Sequence, residues 1–110
     1  MHYIYMKISE KKYRGSLICR TVGYPISYAI VKMLLENGPM DLEQIVNRVK
    51  RSKATVCVHL AKLKLANIVR YEKEWRKTTY WIKYPKEVKK FLQSCEELVE
   101  RTTKRIRKDF

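Results

Sequence analysis

Apolar residues recur at three- and four-residue spacing through Ile26, Ala29, Ile30, Met33 and Leu34. That period predicts an amphipathic helix of about three turns. Gly23-Tyr24-Pro25 precedes it, and Asn37-Gly38-Pro39 stops it. Asp41 then stands where its carboxylate can accept the free amides of a new first turn, and Leu42, Ile45, Val46 and Val49 form the stripe of a second, shorter helix. Ser52 is the next cap. It opens a third helix with Val56, Leu60 and Leu63 inward, ending near Asn67. Upstream, residues 10–20 predict another helix, with Leu17 and Ile18 inward; residues 1–9 form either a strand or an arm.

After Asn67 the period changes to two. Ile68, Val69 and Tyr71, then Tyr80, Ile82 and Tyr84, predict two strands. Between them, Glu72-Lys73-Glu74-Trp75-Arg76-Lys77 reads as a charged hairpin tip without the usual glycine. Pro85 ends the second strand. A long helix follows, with Val88, Phe91, Leu92, Cys95, Leu98, Val99, Thr102 and Ile106 on one side, in the spacing of a coiled-coil seam. The fold class is mainly α with a small β-hairpin, α+β overall. We expect one domain over residues 1–110: an N-terminal helix within 10–24, a core over 25–84 and a C-terminal helix over 86–108. Two helices joined by a tight turn and followed by a two-stranded wing make a winged helix-turn-helix.

Charge sharpens this picture. The 110 residues hold 25 Lys or Arg against 11 Asp or Glu, a formal net charge of +14. Residues 51–84 alone carry nine basic side chains against Glu72 and Glu74, so half of the excess lies on the third helix and the hairpin. Such a local excess points to an anionic partner, most often nucleic acid.

With these residues in view, the segment from about Val22 to Tyr84 resembles the ArsR-type family of winged-helix repressors, with the MarR-type close to it. The family's opening pattern, A-L-G-D-P-T-R-x-x-I-L, is met by Val22-Gly23-Tyr24-Pro25-Ile26-Ser27-Tyr28-Ala29-Ile30-Val31, with Tyr24 and Ser27 in place of its Asp and Arg. Its recognition pattern, S-x-x-T-V-S-x-H-L-x-x-L, is met by Ser52, Thr55, Val56, Cys57, His59, Leu60 and Leu63. Asn67-Ile68-Val69 stands for G-L-V, and Tyr80-Trp81-Ile82 for the end of the wing. The resemblance implies a homodimeric, sequence-specific binder of double-stranded DNA, a transcriptional regulator acting as a repressor.

A helix over 52–65 is about 21 Å long and fits a major groove about 12 Å wide. With Val56, Leu60 and Leu63 inward, Ala54, Thr55, Val58, Ala61 and Lys62 face out, flanked by Lys53, Cys57 and Lys64. Small and apolar residues on an exposed helical face suit close approach to base edges; burial against another part of the protein is the alternative. The candidate DNA-binding residues are Arg51, Ser52, Lys53, Ala54, Thr55, Cys57, Val58 and Lys62, with Arg76 and Lys77 from a wing over 72–78 on the flanking backbone or minor groove. Trp75 either packs over a strand or touches DNA. His59 is read as a structural or phosphate-contacting residue. The candidate dimerisation residues are Leu17, Val88, Phe91, Leu92, Cys95, Leu98, Val99, Thr102 and Ile106.

Other classes fare worse. The chain has no glycine-rich phosphate loop, no paired His, no Cys-x-x-Cys and no nucleophile set, so we expect no enzyme and no cofactor. The family's metal sensors carry cysteines in the helix before the recognition helix, or Asp, His and Glu sets on the last helix. Residues 41–49 lack Cys and the last helix lacks His, so no metal site is expected. Three scattered cysteines and no long apolar run suit a cytoplasmic protein with reduced thiols and no membrane partner. Cys19 and Cys95 are read as packing thiols, with a redox switch as the alternative. No effector is implied. The rival readings are a basic RNA-binding or ribosome-associated protein on the same fold, and a protein-interaction winged helix.

Overall fold

The computed structural model describes residues 9–109, and the side chains of residues 9–104. The expectation for residues 1–8 and the side chain of Ile106 lie outside the described residues. Eight elements follow in order: α1 (Glu10–Val22), α2 (Pro25–Asn37), β1 (Met40–Asp41), α3 (Leu42–Val49), α4 (Lys53–Leu65), β2 (Val69–Glu74), β3 (Lys77–Ile82) and α5 (Pro85–Asp109).

The helix starts follow from side chains that can satisfy free amides. Ser9 accepts from the Lys12 N–H at 3.3 Å. Asp41 accepts from the Gln44 N–H while the Gln44 side chain accepts from the Asp41 N–H, both at 3.0 Å, which is a full capping box. Ser52 accepts from the Thr55 N–H at 3.1 Å. Pro25 and Pro85 occupy first helical positions, where a missing N–H costs nothing. Gly38 ends α2 at φ 77°, a conformation a side chain would strain.

The core gathers Val22, Ile30, Val31, Leu34, Ile45, Val56, Leu60, Leu63, Val69 and Ile82 from every layer. Ala29, read as part of the inner stripe of α2, is exposed, and Val31 takes the inward place instead. In α1 only Val22 is buried; Leu17 is half-buried and Ile18 is exposed.

The sheet has the order β1-β3-β2, antiparallel throughout. Two expectations are corrected here. The strand β1, which pairs Met40 with Tyr80 and Asp41 with Thr79, was not predicted. The hairpin tip is not six residues but the two-residue turn Trp75-Arg76, because β2 and β3 remain paired as far as Glu74 with Lys77. Arg76 takes φ 63° in that turn, the role a glycine usually fills.

The long helix α5 is present, but its apolar stripe divides. Leu92 is 4% exposed and belongs to the chain's own core, with Val88 and Phe91 packed against that core. Leu92 is therefore not free to form a seam with another chain. Leu98 and Val99, each 63% exposed, are. Among the described residues no helix is long and apolar enough to cross a membrane.

Candidate nucleic-acid interface

The helix α4 leans on α2, α3 and β2 through Val56, Leu60 and Leu63, all essentially inaccessible. Its opposite side stands free. Ala54, Val58 and Ala61 are exposed there, Val58 by 54%. The same spacing ends at Leu65, 86% exposed, where the stripe reaches a groove of about 710 Å³ shared with α1 and α5.

Two lysines of α4 are each held on an aromatic ring from a different element. The Lys62 Nζ lies 4.2 Å from the centre of the Tyr24 ring, at the start of α2. The Lys64 Nζ lies 4.0 Å from the centre of the Tyr71 ring on β2, and Tyr71 in turn stacks on Tyr80 at 6.0 Å. Such contacts bias the position of each ammonium while leaving its donors available. The expected phosphate ligands are less uniform. Lys53 lies 3.9 Å from Glu43, and Lys77 lies 3.9 Å from Asp41. Both lysines are exposed and these pairs are weak, so a phosphate can displace either acid. The Arg51 guanidinium donates to the Lys50 carbonyl at 3.2 Å. The Ser52 hydroxyl donates to Thr55 Oγ1 at 2.9 Å, so it serves the cap rather than an outside ligand. Cys57 is half-buried on the flank. At the wing tip Trp75 is 85% exposed rather than folded over a strand, and the Arg76 guanidinium carbon lies 5.4 Å from its ring centre.

His59 has a structural place. Its Nδ1 is 3.0 Å from the Oγ of Ser27, a fully buried residue of α2, and the Tyr24 ring meets the imidazole edge-on at 5.7 Å. Tyr24 and Ser27, which stand where the family pattern has Asp and Arg, are the two residues that brace this imidazole. Burial lowers the His59 pKa, and the Lys62 charge lowers it further. The folded state thus disfavours the imidazolium. Stability should fall as pH drops through the ordinary imidazole value of about 6.5 and stop falling below the lower folded value. Thermal melts at pH 7.5 and 5 should differ more for the wild type than for His59→Gln; equal differences would show that other groups set the pH response.

On the other side of α2, Glu96 of α5 accepts from the Lys32 ammonium and, at 3.4 Å, from the Tyr28 hydroxyl. That contact raises the Lys32 pKa. Burial, then the Glu96 charge, raises that of Tyr28. Cys19, Cys57 and Cys95 are free thiols. Among the described residues no three His, Cys, Asp or Glu side chains converge on a point that could hold a metal ion.

Three core helices, a supported recognition-type helix and a two-stranded wing define a winged helix-turn-helix protein. The family model described as bacterial regulatory protein, arsR family, matches residues 28–71. An uncharacterized HTH-type transcriptional regulator of Methanocaldococcus jannaschii is 34% identical over 89 residues, covering 81% of this chain and 99% of that protein. The chain belongs to the arsR family of regulatory proteins.

Solved structures share the fold at lower identity. HlyU from Vibrio cholerae superimposes with a TM-score of 0.70 at 19% identity, covering 80% of this chain and 97% of that one. NolR from Sinorhizobium fredii gives 0.71 at 21%, covering 83% and 93%. The winged helix-turn-helix DNA-binding domain of Mb0332 from Mycobacterium bovis, described as homodimeric, gives 0.71 at 17%, covering 86% and 94%.

Proposed function

We propose that this protein is a transcriptional regulator that binds double-stranded DNA as a homodimer. In this reading α4 lies in the major groove, and the wing carries Arg76 and Lys77 to the flanking backbone or minor groove. The observation that carries the reading is the free face of α4, small and apolar along its centre, edged by lysines and set in the segment of net charge +7. A helix so edged suits the deep, wide major groove of B-form DNA; the A-form groove of duplex RNA is too narrow to admit it. Family membership supports regulation of transcription, and the Mycobacterium bovis neighbour described as homodimeric supports the dimer. The exposed Leu98 and Val99 of α5, with Leu17 and Ile18 of α1, supply an apolar surface for a second copy. Two recognition helices then read half-sites about 34 Å apart.

Selection of duplexes from a random pool by the purified protein should recover a two-fold motif with that spacing. Recovery of no motif, with equal retention of duplex RNA, would overturn the reading. On a selected duplex, Lys62→Ala and Arg76→Ala should each reduce the slope of log affinity against log salt by about 0.9, the loss of one phosphate contact. An unchanged slope in both variants would remove these two side chains from the backbone contacts.

A further inference from the structure

We infer that α4 selects its site chiefly through thymine methyl groups, so that A·T pairs occupy the positions under Ala54, Val58 and Ala61. The inference rests on the duplex-DNA reading above and names what that helix would read.

Base edges in the major groove are recognised by distinct chemistry. Guanine takes the paired donors of Arg or Lys, adenine the amide of Asn or Gln, cytosine an acid, and thymine an apolar side chain against its C5 methyl. The free face of α4 holds no guanidinium, no amide and no carboxylate. Of the lysines near it, Lys62 borders this face with its ammonium held over the Tyr24 ring, while Lys64 lies over Tyr71 and Lys53 beside Glu43, both away from it. The imidazole of His59 is turned to Ser27. Arg51 precedes the helix and donates to its neighbour's carbonyl. One hydroxyl remains, that of Thr55, which already accepts from Ser52.

What the face does present is methyl groups. Val58 rises between Ala54 and Ala61, four residues before it and three after, and those two small side chains let the helix backbone come close to the base edges. An apolar face this exposed has a use when it meets other methyl groups, and the thymine methyls line the groove floor. The occupant is DNA rather than an apolar protein surface because the face is ringed by cationic side chains, which an apolar partner would leave without counter-charges.

The test removes methyl groups one at a time. A duplex selected by the wild-type protein is remade with uracil in place of thymine at each position in turn, which changes nothing but the C5 methyl. At two or three positions in each half-site, affinity should fall about three- to fivefold, the factor carried by burying one methyl group, with no change in salt slope. Val58→Ala, at an exposed position, should bind the thymine and uracil duplexes within twofold of each other at one of those positions. Two outcomes overturn the inference while leaving the DNA reading intact. One is selective binding that tolerates uracil everywhere. The other is an undiminished preference for thymine in Val58→Ala. Retention of no duplex at all overturns both readings.

Discussion

Replacing Leu98 and Val99 together by Glu will leave the protomer folded, with the helical circular dichroism of the wild type, yet will convert the protein to a monomer in sedimentation at tens of micromolar. The melting temperature will fall only by the stabilisation that association supplies. Both side chains stand 63% exposed on α5 and touch little of their own chain, so charges there are solvated in the monomer. In an intersubunit seam the same four carboxylates, two from each copy, would be buried without partners, at a cost of several kcal/mol each. Loss of the dimer severs one half-site from the other. Affinity for a two-fold DNA site should then fall by about 10²–10⁴, the advantage that linked binding confers. A variant that remains dimeric would place the interface elsewhere, and a wild type that is monomeric would remove it.

The opposite behaviour is expected seven residues earlier. Leu92→Ala will destabilise the monomer itself by about 2–5 kcal/mol, because Leu92 is 4% exposed and its loss leaves a cavity between α5 and α2. For a chain of this size that corresponds to a fall in melting temperature of roughly 10 °C or more. Denaturant titration of the wild type and variant measures it directly. The nearby ion pair offers a control: Lys32→Ala removes an exposed contact with Glu96 and should cost under about 1 kcal/mol. A Leu92→Ala effect as small as that would mean that α5 docks loosely along its whole length.

The contrast between these two substitutions marks what could be read from the sequence. The apolar stripe of α5 was visible as a period, but a period does not say whether its residues face their own core or another chain. The structure divides it, with Leu92 going in and Leu98 and Val99 staying out. Helix limits were legible wherever a side chain caps or a ring blocks, as at Pro25, Asp41, Ser52 and Pro85. The outer half of the wing was not, because Glu72, Lys73 and Glu74 are exposed on both faces of the hairpin and so show no alternation. Two residues of β1 are too few to alternate at all. On α4 the inward set was read correctly from spacing. The aromatic rings under Lys62 and Lys64 and the Ser27–His59 contact join residues far apart in the chain, and no local pattern announces such pairs.

Ser27 and Tyr28 are consecutive in α2, and their side chains leave in different directions. One reaches the recognition helix through His59, the other the long helix through Glu96. The helix α2 is thus placed like the arm of a caliper, in contact with the helix that would enter DNA and with the helix that would grip a second copy. If the protein responds to a signal by changing the span between its two reading heads, the movement must arise where the copies meet, or by breaking α2 away from one of these two neighbouring grips.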